Sequence, residues 1–330
     1  MDEISDFEPA GNGRTRFPIT CVDNSAIDSI SEKRARGEFV WVNLRDASPE
    51  EIKQTGRELE LHPLTVEDML EFDQRAKVEE YDNYAYIVSY GATMAEGDND
   101  MLVEIHIVYA SDYLVTVAKE ESIELDNLHE QSKNRELSGQ ELLHSVLDVL
   151  VDSYAPVLDR FDAEIEQLEE LIVQRDLRGR ELEIHHVRRR LGRIDRVVHR
   201  QLESFTRIRE MLRRMPGHHP DDFPYFRDLQ DHLIHVGESA DAMRDRIAGL
   251  FELYMAALDN RQNIIMKQFT VIAGIFLPLS VLTGFFGMNF GWMVREISDG
   301  TAFLALGIAL PLAILGGILT FIASRGLFGE

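Results

Sequence analysis

The chain has 330 residues, enough for two or three domains, and its 45% hydrophobic and 28% charged residues indicate a protein that forms a buried core. Its formal net charge of -24 argues against a general affinity for nucleic-acid phosphates and favours cations as partners. Because Cys21 is the only cysteine, the chain can form neither an internal disulfide nor a thiolate metal cluster.

Residues 1–35 lack the apolar segment of a signal peptide, and we predict an irregular N-terminal tail. Its Gly11-Asn12-Gly13 lacks the third glycine of a dinucleotide-binding loop and is interpreted as flexible. Residues 36–125 alternate strand-like runs with helix starts, which predicts a small cytosolic α/β domain. Strands are expected at residues 39–44, 84–90, 102–109 and 113–118, and helices are expected to begin at Ser48-Pro49 and His62-Pro63.

Residues 126–262 are predicted to form a cytosolic helical stalk, because their apolar side chains recur at spacings of three and four. Pro156 is expected to kink or divide the first helix, and Gly179 to separate it from a second helix over residues 182–215. The second helix is rich in arginine, and we expect it to pair with the acidic helix before it rather than with nucleic acid. A third helix is predicted to run from about residue 224 into the first apolar segment.

Two uncharged runs near the C-terminus, residues 269–286 and 301–323, are each long enough to cross a membrane. The short connection between them predicts an antiparallel hairpin with both chain ends on one side. Nothing in the soluble part resembles an export signal, so we expect both termini in the cytosol and the protein in the cytoplasmic (inner) membrane. Arg261, Lys267 and Arg325 flank the inner ends, which agrees with the positive-inside rule, although Arg295 lies in the outer loop. We assign the first transmembrane helix to 263–289, the outer loop to 290–300, the second helix to 301–324 and a cytosolic tail to 325–330.

A stripe of small and polar residues follows the first transmembrane helix at spacings of three and four. Such a stripe suits close helix packing in lipid, and it also suits the lining of an aqueous pore. One helix cannot enclose a pore, so the pore interpretation requires an oligomer. The members of the stripe are Asn263, Met266, Thr270, Gly274, Leu277, Ser280, Gly284 and Met288, with Asn289 at its mouth.

These segments together resemble the CorA family of divalent-cation transporters over most of the chain. The strongest match joins Pro-Leu-Ser at 278–280 to Gly-Phe-Phe-Gly-Met-Asn-Phe at 284–290, ahead of a second apolar segment. Further matches are His-Pro-Leu-Thr-Val-Glu-Asp at 62–68, Lys-Val-Glu at 77–79 and Pro-Tyr-Phe-Arg-Asp at 224–228.

The resemblance implies a predominantly helical membrane protein that assembles as a homopentamer, with an α/β cytosolic domain, a long-helix stalk and a two-helix membrane hairpin. Each subunit would give its first transmembrane helix to a central pore, with Gly287, Met288 and Asn289 as the selectivity signature at the outer mouth. Members of this family move Mg2+, often with Co2+ or Ni2+, and a ZntB branch moves Zn2+. Mg2+ would be both cargo and regulator, and no organic cofactor is expected.

The polar stripe fits the chemistry of hydrated Mg2+, which gives up its water ligands reluctantly. Carboxamide oxygens of Asn289 would accept hydrogen bonds from those waters, and the inside-negative potential would drive entry by about 2.3 kcal/mol per charge per 100 mV. The remaining pore-lining residues would continue the polar track or form apolar constrictions that close by dewetting; they are Asn263, Met266, Thr270, Leu277, Ser280 and Gly284.

The resemblance also implies a regulatory metal site between cytosolic subunits. Glu67, Asp68, Asp148 and Asp228 match acidic positions that bind Mg2+ and hold the family's channels closed. Glu252 is expected to add an acidic ring on the long helix.

Two other classes of function stay open. A membrane-anchored cation sensor would need the hairpin but no polar stripe. An enzyme would need motifs that the sequence lacks: it has no Walker loop and no His-Glu-x-x-His pattern. The histidine pairs at 185–186 and 218–219, and His232 with His235, leave room for Zn2+. We therefore interpret the chain as a channel and not an enzyme.

Overall fold

The computed structural model describes residues 16–93, 102–119, 123–215, 223–288, 291, 295 and 299–324. The chain divides between Phe251 and Glu252 into two compact units. A short 3-10 turn, Asn24–Ser29, joins β1 to α1. The elements in chain order are β1 (Phe17–Asp23), α1 (Ile30–Ala35), β2 (Phe39–Arg45), α2 (Pro49–Glu58), α3 (Pro63–Leu70), β3 (Lys77–Glu80), β4 (Tyr84–Ala92), β5 (Leu102–Ala110), β6 (Tyr113–Ala118), α4 (Ile123–Ser132), β7 (Glu136–Leu137), α5 (Gly139–Asp152), α6 (Tyr154–Val173), α7 (Arg180–Leu212), α8 (Phe223–Phe286) and α9 (Gly300–Ser324).

A mixed seven-stranded sheet forms the centre of the first unit, in the order β3-β4-β5-β6-β2-β1-β7. β2 runs parallel to β1 and β6, so Val42 lies opposite Val22 on one side and Val115 on the other. β3 to β6 are antiparallel. Every residue of β4 is buried, which indicates that both faces of the sheet are covered.

The helices cover the two faces of the sheet with different chemistry. On one face α1, α2 and α3 bury Ile30, Ile52 and Met69 against the apolar side chains of the strands. On the other face, the Tyr154 hydroxyl of α6 donates a hydrogen bond to the Tyr90 carbonyl at 3.2 Å. The four central strands predicted from the sequence and the two helix starts are all confirmed; Ser48 caps α2 together with Glu51, and His62 caps α3.

The prediction of an irregular tail over residues 1–35 is wrong for residues 16–35. These residues form β1, the 3-10 turn and α1. Only Ile19 and Val22 of β1 are buried, and a spacing of three does not show the alternation of a strand. The sheet also extends beyond the predicted domain limit of residue 125, because β7 pairs with β1. Gly11-Asn12-Gly13 lies outside the described residues.

The breaks between the helices of the stalk lie where the sequence predicted them. α5 ends at Asp152 and α6 begins at Tyr154, so the chain divides just before Pro156, which occupies the first turn of α6, where a missing N–H is tolerated. Gly179 stands before α7 with a φ of +76°, a left-handed conformation that glycine adopts without strain. The expected pairing of acidic and arginine-rich helices is confirmed for Arg190 and Glu164, whose atoms Nη1 and Oε2 lie 2.9 Å apart.

The second unit contains the two apolar segments. α8 is continuous from Phe223 to Phe286 and contains Pro278, and α9 runs from Gly300 to Ser324 with π-helical turns over Phe303–Ala309. Both helices are long and apolar enough to cross a membrane. Large apolar side chains along them are exposed, as with Leu277 at 68% and Phe276 at 64%, as expected of lipid-facing or oligomer-facing surfaces.

Candidate functional site

The stripe on α8 occupies one side of the helix. At 3.6 residues per turn, the positions from Asn263 to Met288 that make up the stripe fall within an arc of about 120°. All of the described pore-lining candidates are exposed in the single chain: Asn263, Met266, Thr270, Leu277, Ser280, Gly284, Gly287 and Met288. Glu252 is also exposed on the same helix. The predicted lining residues therefore share a face that no part of the described chain covers.

Two threonine hydroxyl groups on α8 donate hydrogen bonds to the backbone of their own helix. The Thr270 hydroxyl donates to the Met266 carbonyl at 2.8 Å. Thr283, on a different side of the helix, donates likewise to the Leu279 carbonyl at 3.0 Å. Because each hydroxyl proton is used within the helix, the oxygen lone pairs remain as acceptors toward the surroundings, and an acceptor is what the water shell of a cation requires.

The tight turn that ends α8 requires a glycine at position 287, the first residue of the Gly-Met-Asn signature. The Gly287 N–H donates to the Thr283 carbonyl at 2.9 Å, and the Met288 N–H to the Phe285 carbonyl at 3.2 Å. A Cβ added at Gly287 would lie 2.9 Å from the Thr283 carbonyl oxygen, closer than side chains come to backbone. Gly287 therefore allows the tight final turn. Asn289, the outer loop other than Gly291, Arg295, Asp299 and Gly300, and the tail 325–330 lie outside the described residues.

Glu67 and Asp68, the first pair of predicted regulatory residues, lie on α3. This helix is held by Tyr84, whose hydroxyl accepts from the His62 N–H at 2.9 Å and lies 2.8 Å from the Thr65 hydroxyl. Glu67 is exposed, whereas Asp68 is half-buried and forms an ion pair with Lys77 of β3. Burial alone would lower the pKa of the Lys77 ammonium, but hydrogen bonds to the carboxylates of Asp68 and Glu79 outweigh burial and raise its pKa.

The second pair, Asp148 and Asp228, lies where α5 packs against α8. Asp148, Asp152 and His232 offer ligand atoms within 4.8 Å of one another, and His232 Nε2 lies 3.6 Å from Asp228 Oδ2. We call these four residues the α5–α8 cluster. Three carboxylates and one imidazole form a donor set that a divalent cation can occupy.

His144 fixes the two helices that carry the α5–α8 cluster. Its ring contacts Phe226 edge-on, with centroids 5.5 Å apart, and Tyr225 at 5.9 Å. Burial lowers the pKa of His144, although a hydrogen bond to the Tyr225 backbone and the charges of Asp228 and Asp152 oppose that shift. A neutral His144 therefore sits one turn before Asp148 and adds no positive charge to the carboxylates.

The predicted regulatory set thus divides, in the single chain, into a pair on α3 and a pair shared by α5 and α8. Asp152 was not among the predicted residues, and His232 was considered only as one of several histidines that leave room for Zn2+. A local signal exists in the sequence: Asp148 and Asp152 are four residues apart, as are Asp228 and His232, so each pair shares one helix face. Their meeting depends on the packing of α5 against α8, which the sequence pattern does not reveal.

Comparison with known proteins gives this arrangement a context. A model of the CorA-like Mg2+ transporter protein family matches residues 36–323. The cobalt/magnesium transport protein CorA of Thermotoga maritima is 28% identical over 282 residues, which cover 81% of this chain and 78% of that protein. The protein of the same name from Methanocaldococcus jannaschii is 22% identical over 275 residues, or 81% of this chain and 84% of that protein.

The fold agrees with that of a solved relative along most of its length. The complete structure of the CorA magnesium transporter from Methanocaldococcus jannaschii superposes with a TM-score of 0.73 and 18% identity, covering 86% of this chain and 89% of that one. The shared architecture is a soluble α/β domain, a long helix and C-terminal apolar helices. Because the family match covers well over half of the residues, this chain belongs to the family of CorA-like Mg2+ transporter proteins.

Proposed function

We propose that the chain is a homopentameric, membrane-potential-driven Mg2+ uptake channel that also passes Co2+ or Ni2+, placed in the cytoplasmic (inner) membrane with both termini in the cytosol. The polar stripe on α8, which is exposed along one arc and continues through the apolar C-terminal part of that helix, is the observation that carries the proposal. Family membership supports divalent-cation transport. A membrane anchor without transport would have no use for polar side chains on this face.

The experiment measures Mg2+ entry into proteoliposomes at an imposed inside-negative potential. The test variants are Asn289→Ala and Thr270→Val, and Thr283→Val is the matched control. Both threonines donate to a backbone carbonyl of their own helix, but only Thr270 lies on the stripe. We expect Thr270→Val to lower flux by about three- to tenfold, because a tenfold loss needs only about 1.4 kcal/mol of barrier.

Two outcomes would reject the channel proposal. Equal effects of Thr270→Val and Thr283→Val would show that the stripe does not line the path of the ion. An absence of flux of any ion through the wild-type protein would favour the anchored cation sensor.

We further propose that Mg2+ bound between cytosolic domains closes the channel, through Glu67, Asp68, Asp148 and Asp228. When internal Mg2+ falls, the unscreened carboxylates repel one another and the interfaces loosen. The combined variant Asp68→Ala with Asp228→Ala should need about tenfold more internal Mg2+ to close. This change corresponds to a loss of about 1.4 kcal/mol in the coupling free energy between Mg2+ binding and closure. Asp245→Ala, an exposed carboxylate elsewhere on α8, is the control. If the double variant closes at the same internal Mg2+ concentration as the wild type, the gating proposal is rejected.

A second candidate function, Zn2+ transport as in the ZntB branch, is favoured by His232. Imidazole suits Zn2+ and Co2+ better than Mg2+, and the ring lies among three carboxylates. Flux of Zn2+ without flux of Mg2+ would support this candidate. His232→Ala, with the exposed His235→Ala as control, separates a role of the α5–α8 cluster in ion discrimination from one in the pore.

A further inference from the structure

A groove of about 540 Å³ lies between α7 and α8 in the first unit, away from the α5–α8 cluster and from the stripe. Four arginines and one histidine line it: Arg188, Arg189 and Arg196 with His185 on α7, and Arg244 on α8. The proposed transport and gating functions make no use of these residues. In a chain with a formal net charge of -24, so many arginines in one concave site need a separate explanation.

The floor of the groove holds one of its arginines in place. Asp195 is buried, and its Oδ2 lies 2.9 Å from Arg244 Nη1. Asp241 Oδ1 lies 3.2 Å from the same nitrogen. His199 Nδ1 approaches the other oxygen of Asp195 at 3.0 Å. The Arg244 guanidinium is therefore oriented through Nη1, while its Nε and Nη2 have no partner among the described residues.

Gly192 leaves the space that the groove occupies. It lies in the interior of α7, where glycine is about 1 kcal/mol less favourable than alanine. A Cβ at this position would lie 3.6 Å from Arg196 Nη1, so the Arg196 guanidinium lies over the missing side chain. Arg188, Gly192 and Arg196 follow one another at intervals of four residues on one face of the helix.

Positive charge predominates in the groove among the described residues. Four arginines line it, and Asp195 and Asp241, the two carboxylates that contact Arg244, leave a formal charge of +2 when His185 is neutral. Among the described residues, no carboxylate forms an ion pair with Arg188 or Arg196, and neither has another recorded partner. A concave site lined by one sign of charge concentrates its field and attracts a ligand of the opposite sign.

The lining decides which anion fits. Planar guanidinium groups bind phosphate oxygens through paired N–H donors, and several arginines in one site suit several phosphate groups. No aliphatic residue is among the lining residues and His185 supplies their one aromatic ring, so the groove offers charged donors and little surface for an acyl chain. We propose that the groove binds an oligophosphate, either free or as the di- or triphosphate group of a cytosolic small molecule.

The experiment is calorimetric titration of the detergent-solubilised full chain with tripolyphosphate, in buffer freed of divalent cations by a chelating resin. Removal of metal prevents phosphate from binding through cations at the acidic clusters. We expect one site per chain, and at least tenfold weaker binding in the variant Arg188→Gln with Arg196→Gln. Sulfate at matched ionic strength should not compete. Titration with adenosine triphosphate and with pyrophosphate distinguishes a free oligophosphate from the phosphate group of a larger molecule.

Two further variants keep the result interpretable. Gly192→Leu fills the groove without changing its charge, and it should abolish binding while α7 keeps its helical content by circular dichroism. Arg207→Gln removes an exposed charge elsewhere on α7 and should bind as the wild type does.

Three results would overturn the proposal: no binding to the wild-type chain, binding that survives both groove variants, or an equal loss in Arg207→Gln. If the wild-type chain binds no tripolyphosphate and the double variant Arg188→Gln with Arg196→Gln changes its oligomeric mass, the groove would instead be assigned to carboxylates of a second copy of the chain. The titration is done without transport, so its failure leaves the proposed channel function untouched.

Discussion

Lys77 occupies the carboxylate of Asp68, which the proposed regulatory site would need. Its ammonium contacts both Asp68 and Glu79, and the side chains of Lys77 and Asp68 are about a quarter exposed. A cation bound at Asp68 must displace this ammonium or share the carboxylate with it. The charge of Lys77 therefore sets how readily α3 can take part in a regulatory site.

The variant Lys77→Met tests this competition. Removal of the ammonium leaves Asp68 without its ion-pair partner, so less internal Mg2+ should be needed to close the channel, by about threefold or more. The measurement is the internal Mg2+ concentration at half-maximal flux in proteoliposomes. Lys53→Met, an exposed lysine on α2, should match the wild type. A higher Mg2+ requirement in Lys77→Met would mean that Lys77 positions Asp68 and does not compete with the metal.

At the scale of elements, a buried histidine joins α4 to the sheet. The His129 ring packs edge-on against Trp41 of β2, with centroids 4.8 Å apart, and its Nε2 lies 3.4 Å from the Trp41 carbonyl oxygen. Burial lowers the pKa of His129 from its ordinary value of 6.5; Glu130, Lys133 and Arg45 are the charged groups that face the ring.

This shift predicts a pH dependence of stability. As the pH falls below 6.5, the unfolded chain binds a proton at this histidine while the folded chain resists protonation, so this contribution to stability is complete above pH 6.5 and is lost below it. The thermal midpoint of the wild type should fall more between pH 7.5 and 5.5 than that of His129→Gln. Parallel losses in the two proteins would assign the pH dependence to other groups.

Contact between β4 and the end of α5 leaves no space at Gly91. A Cβ there would lie 2.9 Å from the Ser153 Oγ and 3.2 Å from Leu150 Cδ2. The same Ser153 Oγ accepts from the Ala92 N–H at 2.7 Å and donates to the Leu150 carbonyl at 2.6 Å, so it cannot move away without breaking both hydrogen bonds. This junction fixes where the chain divides between α5 and α6.

Gly91→Ala should therefore destabilise the protein by about 1–3 kcal/mol. The matched control is Gly249→Ala in α8, where an added Cβ meets nothing within 4 Å and a helical alanine should stabilise by up to about 1 kcal/mol. Urea unfolding followed by circular dichroism measures both. A stabilised Gly91→Ala would contradict the close packing of β4 on Ser153.

The elements that the sequence predicted correctly are those whose pattern is local. α5 to α8 have apolar side chains at spacings of three and four, and β4 to β6 are continuous apolar runs. β3 and β7 were missed for the opposite reason. Lys77–Glu80 is a charged segment, and Glu136–Leu137 has two residues, so each becomes a strand only through pairing with β4 or β1.

The same distinction separates the three candidate sites. The stripe on α8 lies within one helix, so its residues could be identified from spacing alone. The α5–α8 cluster joins residues about eighty positions apart, and the groove between α7 and α8 joins Arg188 to Arg244. Helix packing brings those residues together, and a periodic pattern does not specify which side chains meet across two helices.

At the scale of the whole molecule, the pore needs more than one chain. The stripe covers an arc of about 120° of one helix, so a closed lumen must be completed by further copies. The proposed homopentamer would contain five copies. Five chains of 37.8 kDa give an assembly of about 189 kDa, which native mass spectrometry in detergent can measure.

Mixing wild-type and Asn289→Ala chains before reconstitution tests whether the copies share one pore. If one altered subunit is enough to disable a pentamer, an equal mixture leaves about 3% of assemblies fully wild-type, and Mg2+ flux should fall far below half. If each chain conducts by itself, the flux of the mixture falls in proportion to the altered fraction and stays near half. Because the two models differ so widely at equal mixing, at about 3% against about half of the wild-type flux, that single ratio distinguishes a shared pore from independent subunits. A mixture with Thr283→Val chains, which alter α8 away from the stripe, should conduct as the wild type does at every ratio.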